Sequence, residues 1–279
     1  MIDRMHRLAA TSLCVLLAAS VLTAQQSVYT PAPGAELLHR PLDQILDVNV
    51  RDGLVYYRAM KGDRGRLDRY VASLNVTPAT YQGWSKRQQM AFWVNAYNAF
   101  VLVTVINHYP LHGNIKQIPG AFDKTPWRAA GRTVTLDQIE KTVLPEFKEP
   151  RLYLALGRGA VGSGRLRSEA YTGDRIDAQL ADIQSEFVND RRMYRLDRLA
   201  SAIAVTPILS WREADFVAAY AGKADPVFVQ RSPVERALIA FVTPHLLPSE
   251  KELFWKNEFK MTFLEMDWRL NDLTGGRVE

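Results

Sequence analysis

Between Leu154 and Arg167 the chain reads Leu-Ala-Leu-Gly-Arg-Gly-Ala-Val-Gly-Ser-Gly-Arg-Leu-Arg, with four glycines, three arginines and one serine in fourteen residues. Glycines free the backbone to aim several amides at one point, and guanidinium groups add fixed charge with bidentate reach. Together they suit a carboxylate, phosphate or sulfate. The segment is therefore expected to accept a small anionic ligand through Arg158, Arg165, Arg167, Gly159 and Gly162, with Asn95 and Asn98 beneath it. A plainer alternative is a tight bend whose arginines pair with nearby acids such as Glu169.

The same stretch suggests two further chemistries. Gly157, Gly159 and Gly162 spell the dinucleotide fingerprint, but no helix follows directly and no apolar strand ends in an acid behind it. The lysine of a phosphate-binding P-loop is missing too, so no nucleotide and no other cofactor is expected. Ser163 could act as a nucleophile with Lys141 or Glu140 as its base, which would make a serine hydrolase or acyltransferase. Against this, Ser163 is equally a small loop residue and Lys141 a solvated helix position. Asn95 and Asn98 read first as core amides satisfying backbone groups. His108 and His112 are four apart, yet Pro110 between them denies a shared helical face, and no metal site is expected.

Helices must carry most of these groups. Ser or Thr followed three residues later by Glu or Gln marks helix starts at Ser85, Thr135, Ser210, Ser232 and Ser249. Thr172 opens a helix whose stripe is Ile176, Leu180, Ile183 and Phe187, and Leu67, Tyr70, Val71 and Leu74 form another. Met90–Ile106 is the most apolar internal run. Polar Asn95 and Asn98 within it favour a core helix ending near Tyr109-Pro110 over a membrane span. Short strands are expected at Leu54–Tyr57, Thr133–Val134, Leu152–Leu156, Met193–Leu196, Ile203–Val205 and Met261–Leu264. Without regular strand–helix alternation, the fold class is α+β, a helix-rich single domain with a small, short-stranded sheet.

Residues 1–24 combine Arg4 and Arg7 with an apolar run and then small residues, the pattern of a cleavable secretory signal. Residues 25–40 are expected to be a flexible leader and 41–275 the domain. Cys14, the single cysteine, lies in the signal, so the exported chain would have no thiol and no disulfide. Its location would be periplasmic or secreted, with no membrane attachment after cleavage. Loss of residues 1–24 leaves a net charge of +4, spread along the chain. No basic stripe with interleaved aromatics occurs, so no nucleic acid is expected as a partner. The sequence names no protein partner.

Four stretches in order, Phe92–Ala99, Leu136–Glu140, Leu154–Tyr171 and Asp267–Asp272, resemble the family catalogued as domain of unknown function 547, over roughly residues 40–275. The resemblance implies no general activity. Family members often carry a histidine after the glutamate matching Glu140, where this chain has Lys141. They often read Ser-Cys-Pro where it has Gly162-Ser163-Gly164. A cysteine with a histidine would suit thiol chemistry in relatives, which these residues cannot perform. The chain is thus expected to be a binding or otherwise non-thiol member, with a scaffolding role in the cell envelope as the structural alternative.

Overall fold

A helix from Lys86 to His108 runs through the middle of the protein, and local sequence sets both its ends. Ser85 Oγ accepts the Gln88 amide at 3.2 Å, and Gln88 Oε1 accepts the Ser85 amide at 2.9 Å. This satisfies two of the donors that every helix start leaves unpaired. The chain turns extended at Tyr109, where Pro110 disfavours another helical residue. The computed structural model describes residues 34–111 and 113–274.

Residues 90–106 are all buried, and Phe92, Trp93, Tyr97 and Phe100 completely so. By length and hydropathy this helix could cross a membrane, but 94% of its most apolar window is covered by the rest of the protein. A helix that is apolar on every side and so covered is a core helix. Helices Ala35–Asn49, Tyr57–Gly62, Arg64–Ser73 and Ile176–Phe187 pack against it. The expected stripe of Ile176, Leu180, Ile183 and Phe187 is the buried face of the last of these.

The strands are short. β1 (Val50–Arg51) and β2 (Leu54–Val55) form a hairpin through Asp52 and Gly53, both with left-handed φ as a tight two-residue turn requires. β3 (Trp127–Ala129) pairs antiparallel with β4 (Arg132–Val134). β5 (Tyr194–Asp197), β6 (Ala202–Val205) and β7 (Lys260–Phe263) make a three-stranded sheet. Tyr194 stands opposite Val205 in the antiparallel pair, and Ala202 opposite Lys260 in the parallel one. The fold is helix-rich α+β with small sheets.

Several local expectations are corrected. Leu152–Leu156 is not a strand: Pro150–Leu154 is a 3₁₀ helix, capped where Glu149 Oε1 accepts the Arg151 amide at 3.2 Å. A short apolar run bounded by turn signals has no period that separates the two states. Tyr57 leaves the strand after Val55 and starts a helix. Ser210 does not cap a helix. Its hydroxyl donates to the Pro207 carbonyl at 2.8 Å, inside the short helix Ile208–Trp211. The helix assigned to Ser249 starts at Pro248, with Glu250 accepting the Leu247 amide. The helix assigned to Thr172 starts at Ile176. The segment expected to be a leader to residue 40 is helical from Ala35, because Ala35 and His39 bury themselves with Leu42 and Ile45. The signal segment and Cys14 lie outside the described residues, as does His112.

Candidate functional site

Asn95 and Asn98 sit three residues apart on the central helix and so share a face. Asn95 Nδ2 donates to the Tyr171 carbonyl at 2.8 Å, while its Oδ1 accepts the Tyr171 amide at 2.9 Å. Asn98 Nδ2 donates to the Ala155 carbonyl at 3.1 Å and its Oδ1 accepts the Gly157 amide at 2.8 Å. Both side chains are buried. Each matches backbone groups that would otherwise be unpaired in the core, and together they pin the two ends of residues 155–171. Their role is to hold the loop.

The closing residues hold its other side. Val161 and Gly162 donate to the carbonyls of Arg269 and Asp267, each at 2.9 Å, and Ala160 bridges to Leu270. A side chain at Gly162 would meet the Asp267 amide nitrogen at 2.6 Å, and one at Gly164 would overlap the Leu154 carbonyl. Ile115, Val101 and Val105 close over Gly159. These glycines permit close packing of backbone on backbone. Asn271 anchors the same tail by accepting from Tyr57 Oη at 2.7 Å and donating to the Gly53 carbonyl at 2.8 Å.

The three arginines expected to share a ligand do not all meet: Arg165 and Arg167 line one cavity and share Glu186, while Arg158 lines another. Arg158 is 2% exposed and forms a bidentate pair with Glu140, at 2.7 and 3.1 Å. Arg165 reaches Asp52 at 2.9 Å and Glu186 at 3.4 Å. Arg167 binds Glu169 at 2.9 Å and lies within 3.6 Å of Asp182 and Glu186. Each guanidinium already has carboxylate partners: Glu140 for Arg158, and for Arg165 and Arg167 the acids of the helix Ile176–Phe187, of the β1–β2 turn and Glu169.

The serine dyad is not assembled either. Ser163 Oγ is buried and donates to the Ala160 carbonyl at 2.7 Å. Lys141 Nζ holds Asp137 at 2.6 Å one helical turn away, on a side chain that is mostly exposed. Glu140 is occupied by Arg158. A general base must reach the proton it removes, and neither candidate is hydrogen-bonded to Ser163. Among the described residues, no cluster of three or more His, Cys, Asp or Glu is arranged to hold a metal ion. His108 Nδ1 instead lies 2.9 Å from the Thr104 carbonyl.

Arg158 also lines a cavity of about 340 Å³. Lys116, Phe122, Asp137, Glu140, Lys141, Trp211, Arg212 and Trp268 line it with Arg158. Trp211 and Trp268 lie nearly parallel, 16° apart in plane with centroids 6.1 Å apart, and Phe122 meets Trp268 edge-on. Trp211 is 44% exposed, so part of this aromatic surface is open. The Glu140–Arg158 pair is at one wall, with Tyr97 Oη donating to Glu140 Oε2 at 3.3 Å. Burial alone pushes the Glu140 carboxyl upward. Contact with the Arg158 guanidinium outweighs it, and the pKa lies below the ordinary glutamate value. The pair stays ionised at neutral pH and serves as a fixed dipole.

Sequence reading missed Trp211, Arg212, Lys116 and Phe122 as site residues and took Trp268 only as part of a closing motif. Four separate segments contribute these groups, and no spacing along the chain links them. Residues 81–188 match the family model described as protein of unknown function, DUF547. No curated protein and no solved structure matches the chain. The matched region includes the paired asparagines, Glu140 and the Gly/Arg loop, whereas Trp211 and Trp268 lie beyond it.

Proposed function

We propose, from the match of residues 81–188 to the family model of proteins of unknown function DUF547, that the chain is a non-thiol member of that family that binds a small anionic ligand with a flat apolar face. The site of this reading is the cavity at Trp211 and Trp268, with Phe122 beside them. The near-parallel tryptophan pair carries the proposal. Partly open indole faces supply apolar area and a π surface, and a bound ring prefers offset or edge contacts with them. Four cationic side chains, Lys116, Lys141, Arg158 and Arg212, line the cavity with two carboxylates, Asp137 and Glu140, and Arg212 pairs with Asp215, which leaves one positive charge in excess. That balance favours an anion.

Cys14 is the only cysteine in the chain, so the Gly162-Ser163-Gly164 segment has no thiolate to offer. The loop's arginines, and the two asparagines of the central helix that hold it, are all engaged with the protein, which supports assigning the segment to positioning the cavity wall.

The test is intrinsic tryptophan fluorescence during titration with benzoate and with phenyl phosphate, alongside inorganic phosphate. At least one aromatic anion is expected to quench the signal saturably. Trp268→Ala should weaken that binding about tenfold, the scale of one lost aromatic contact plus its buried area. Binding that survives unchanged in both Trp211→Ala and Trp268→Ala would rule this cavity out as the site.

Export belongs to the same reading, supported by the charged, apolar and small-residue order of residues 1–24. Full-length chain expressed in a Gram-negative host should be recovered from the periplasm or medium, with a mass lacking about 24 residues, as a signal of ordinary length implies. Recovery of intact chain from the cytoplasm alone would contradict it.

A further inference from the structure

We propose that Lys116 is the residue by which this cavity selects an anionic ring over a neutral one, an inference that rests on the cavity being the ligand site. Four cations line the cavity, and three of them are neutralised within the protein. Arg158 is paired with Glu140 at 2.7 Å, Lys141 with Asp137 at 2.6 Å and Arg212 with Asp215 at 2.6 Å. Lys116 has no carboxylate within ion-pair distance among the described residues. Its Nζ instead lies 5.0 Å from the centroid of the Trp268 ring. An ammonium over an indole face is attracted by the ring quadrupole but keeps its hydrogen-bond donors for another partner.

The position of this lysine is built into the fold. Asn114 Oδ1 accepts the Lys116 amide at 3.0 Å, fixing the 3₁₀ turn Ile115–Gln117. Ile115 is fully buried and closes over Gly159 of the Gly/Arg loop. The Leu270 amide donates to the Gly113 carbonyl at 3.2 Å, which ties the lysine's turn to the segment carrying Trp268. One backbone link therefore sets the ammonium and the indole together. A ring lying against Trp268 with an anionic substituent would place that charge beside Lys116, where the contact is charge-assisted on both sides.

Benzoate and benzamide distinguish this role, since they share shape and differ in charge. The wild-type protein is expected to bind benzoate about tenfold more tightly than benzamide, the scale of one hydrogen bond between charged groups. Lys116→Met should abolish that preference, so that benzoate and benzamide bind equally, and Lys116→Arg should retain it. Lys116 is exposed, so the variants are expected to fold as the wild type does. A preference that persists in Lys116→Met overturns the assignment of Lys116. Equal binding of the two probes by the wild type overturns it too, while leaving the cavity as a site. Failure of benzamide and of both aromatic anions, benzoate and phenyl phosphate, to bind overturns the cavity reading and this inference with it.

Discussion

Replacing Arg158 with methionine should lower the stability of the fold by roughly 3–5 kcal/mol, because it leaves the Glu140 carboxylate in a buried position without its counter-charge. The guanidinium makes two bonds to Glu140 and also donates to the carbonyls of Tyr153 and Leu156, at 3.2 and 3.4 Å. For a chain of this size each kcal/mol moves Tm by about 2–4 °C, so a fall of roughly 10 °C is expected by thermal denaturation. The companion variant separates charge from packing. Glu140→Leu combined with Arg158→Met removes both ions, and replacing a buried pair with apolar groups is often close to neutral. The double variant should therefore be clearly more stable than Arg158→Met alone. If the two melt together, the loss belongs to packing around residue 158.

Acid gives the same pair a signature. The folded-state pKa of Glu140 is below its ordinary value. Its contribution is thus fully present above the unfolded pKa and is lost as pH falls through the folded one. In Arg158→Met the remaining effect of burial pushes the carboxyl upward. The variant is penalised most at neutral pH, where the carboxylate must stay charged, and less where it can protonate. Urea melts at about pH 7 and about pH 4.5 should show the gap between wild type and variant narrowing on acidification, as linkage requires. A gap that is constant or widens would remove Glu140 as the cause.

Asn98→Leu carries the second large effect. It leaves the Ala155 carbonyl and the Gly157 amide without their partner in a buried setting, and each unsatisfied buried group costs about 1–3 kcal/mol. A loss of about 3 kcal/mol is expected. Hydrogen exchange at Gly157 should accelerate by more than global destabilisation alone explains, since that amide would lose its acceptor. Asn95→Leu should act in the same way at Tyr171, at the other end of the loop. Gly157 protection that falls only in step with the whole protein would mean that Asn98 is not the group restraining the loop.

Much of the scaffold could be read from local chemistry. The caps at Ser85, Thr135 and Ser232 are all formed, because each is a reciprocal contact within four consecutive residues. The stripe from Ile176 to Phe187 needed only the helical period. The failures have a local cause as well. Ser210 fits the same capping pattern, but the chain already turns at Pro207, so its hydroxyl finds that carbonyl first. Leu152–Leu156 has no period to distinguish a strand from a short helix, and Glu149 with Pro150 settles it as helical.

The candidate site was legible only in part. Asn95, Asn98, Glu140, Arg158 and Ser163 stood out by type and placement, but their partners did not. Whether an arginine faces a ligand or a carboxylate depends on which acids the fold brings alongside it. For Arg165 those acids are Asp52 and Glu186, on opposite sides of it in the chain and far from it in sequence.

By itself the sequence determined the caps at Ser85, Thr135 and Ser232, the buried central helix and the absence of any cysteine other than Cys14, because these depend on residues a few positions apart or on composition. Tertiary structure alone decided that the Gly/Arg loop is a packed wall and that Trp211, Trp268 and Lys116 share a cavity. The physical reason is that charge pairing and ring stacking act over a few ångströms in space, whatever the separation of their residues along the chain.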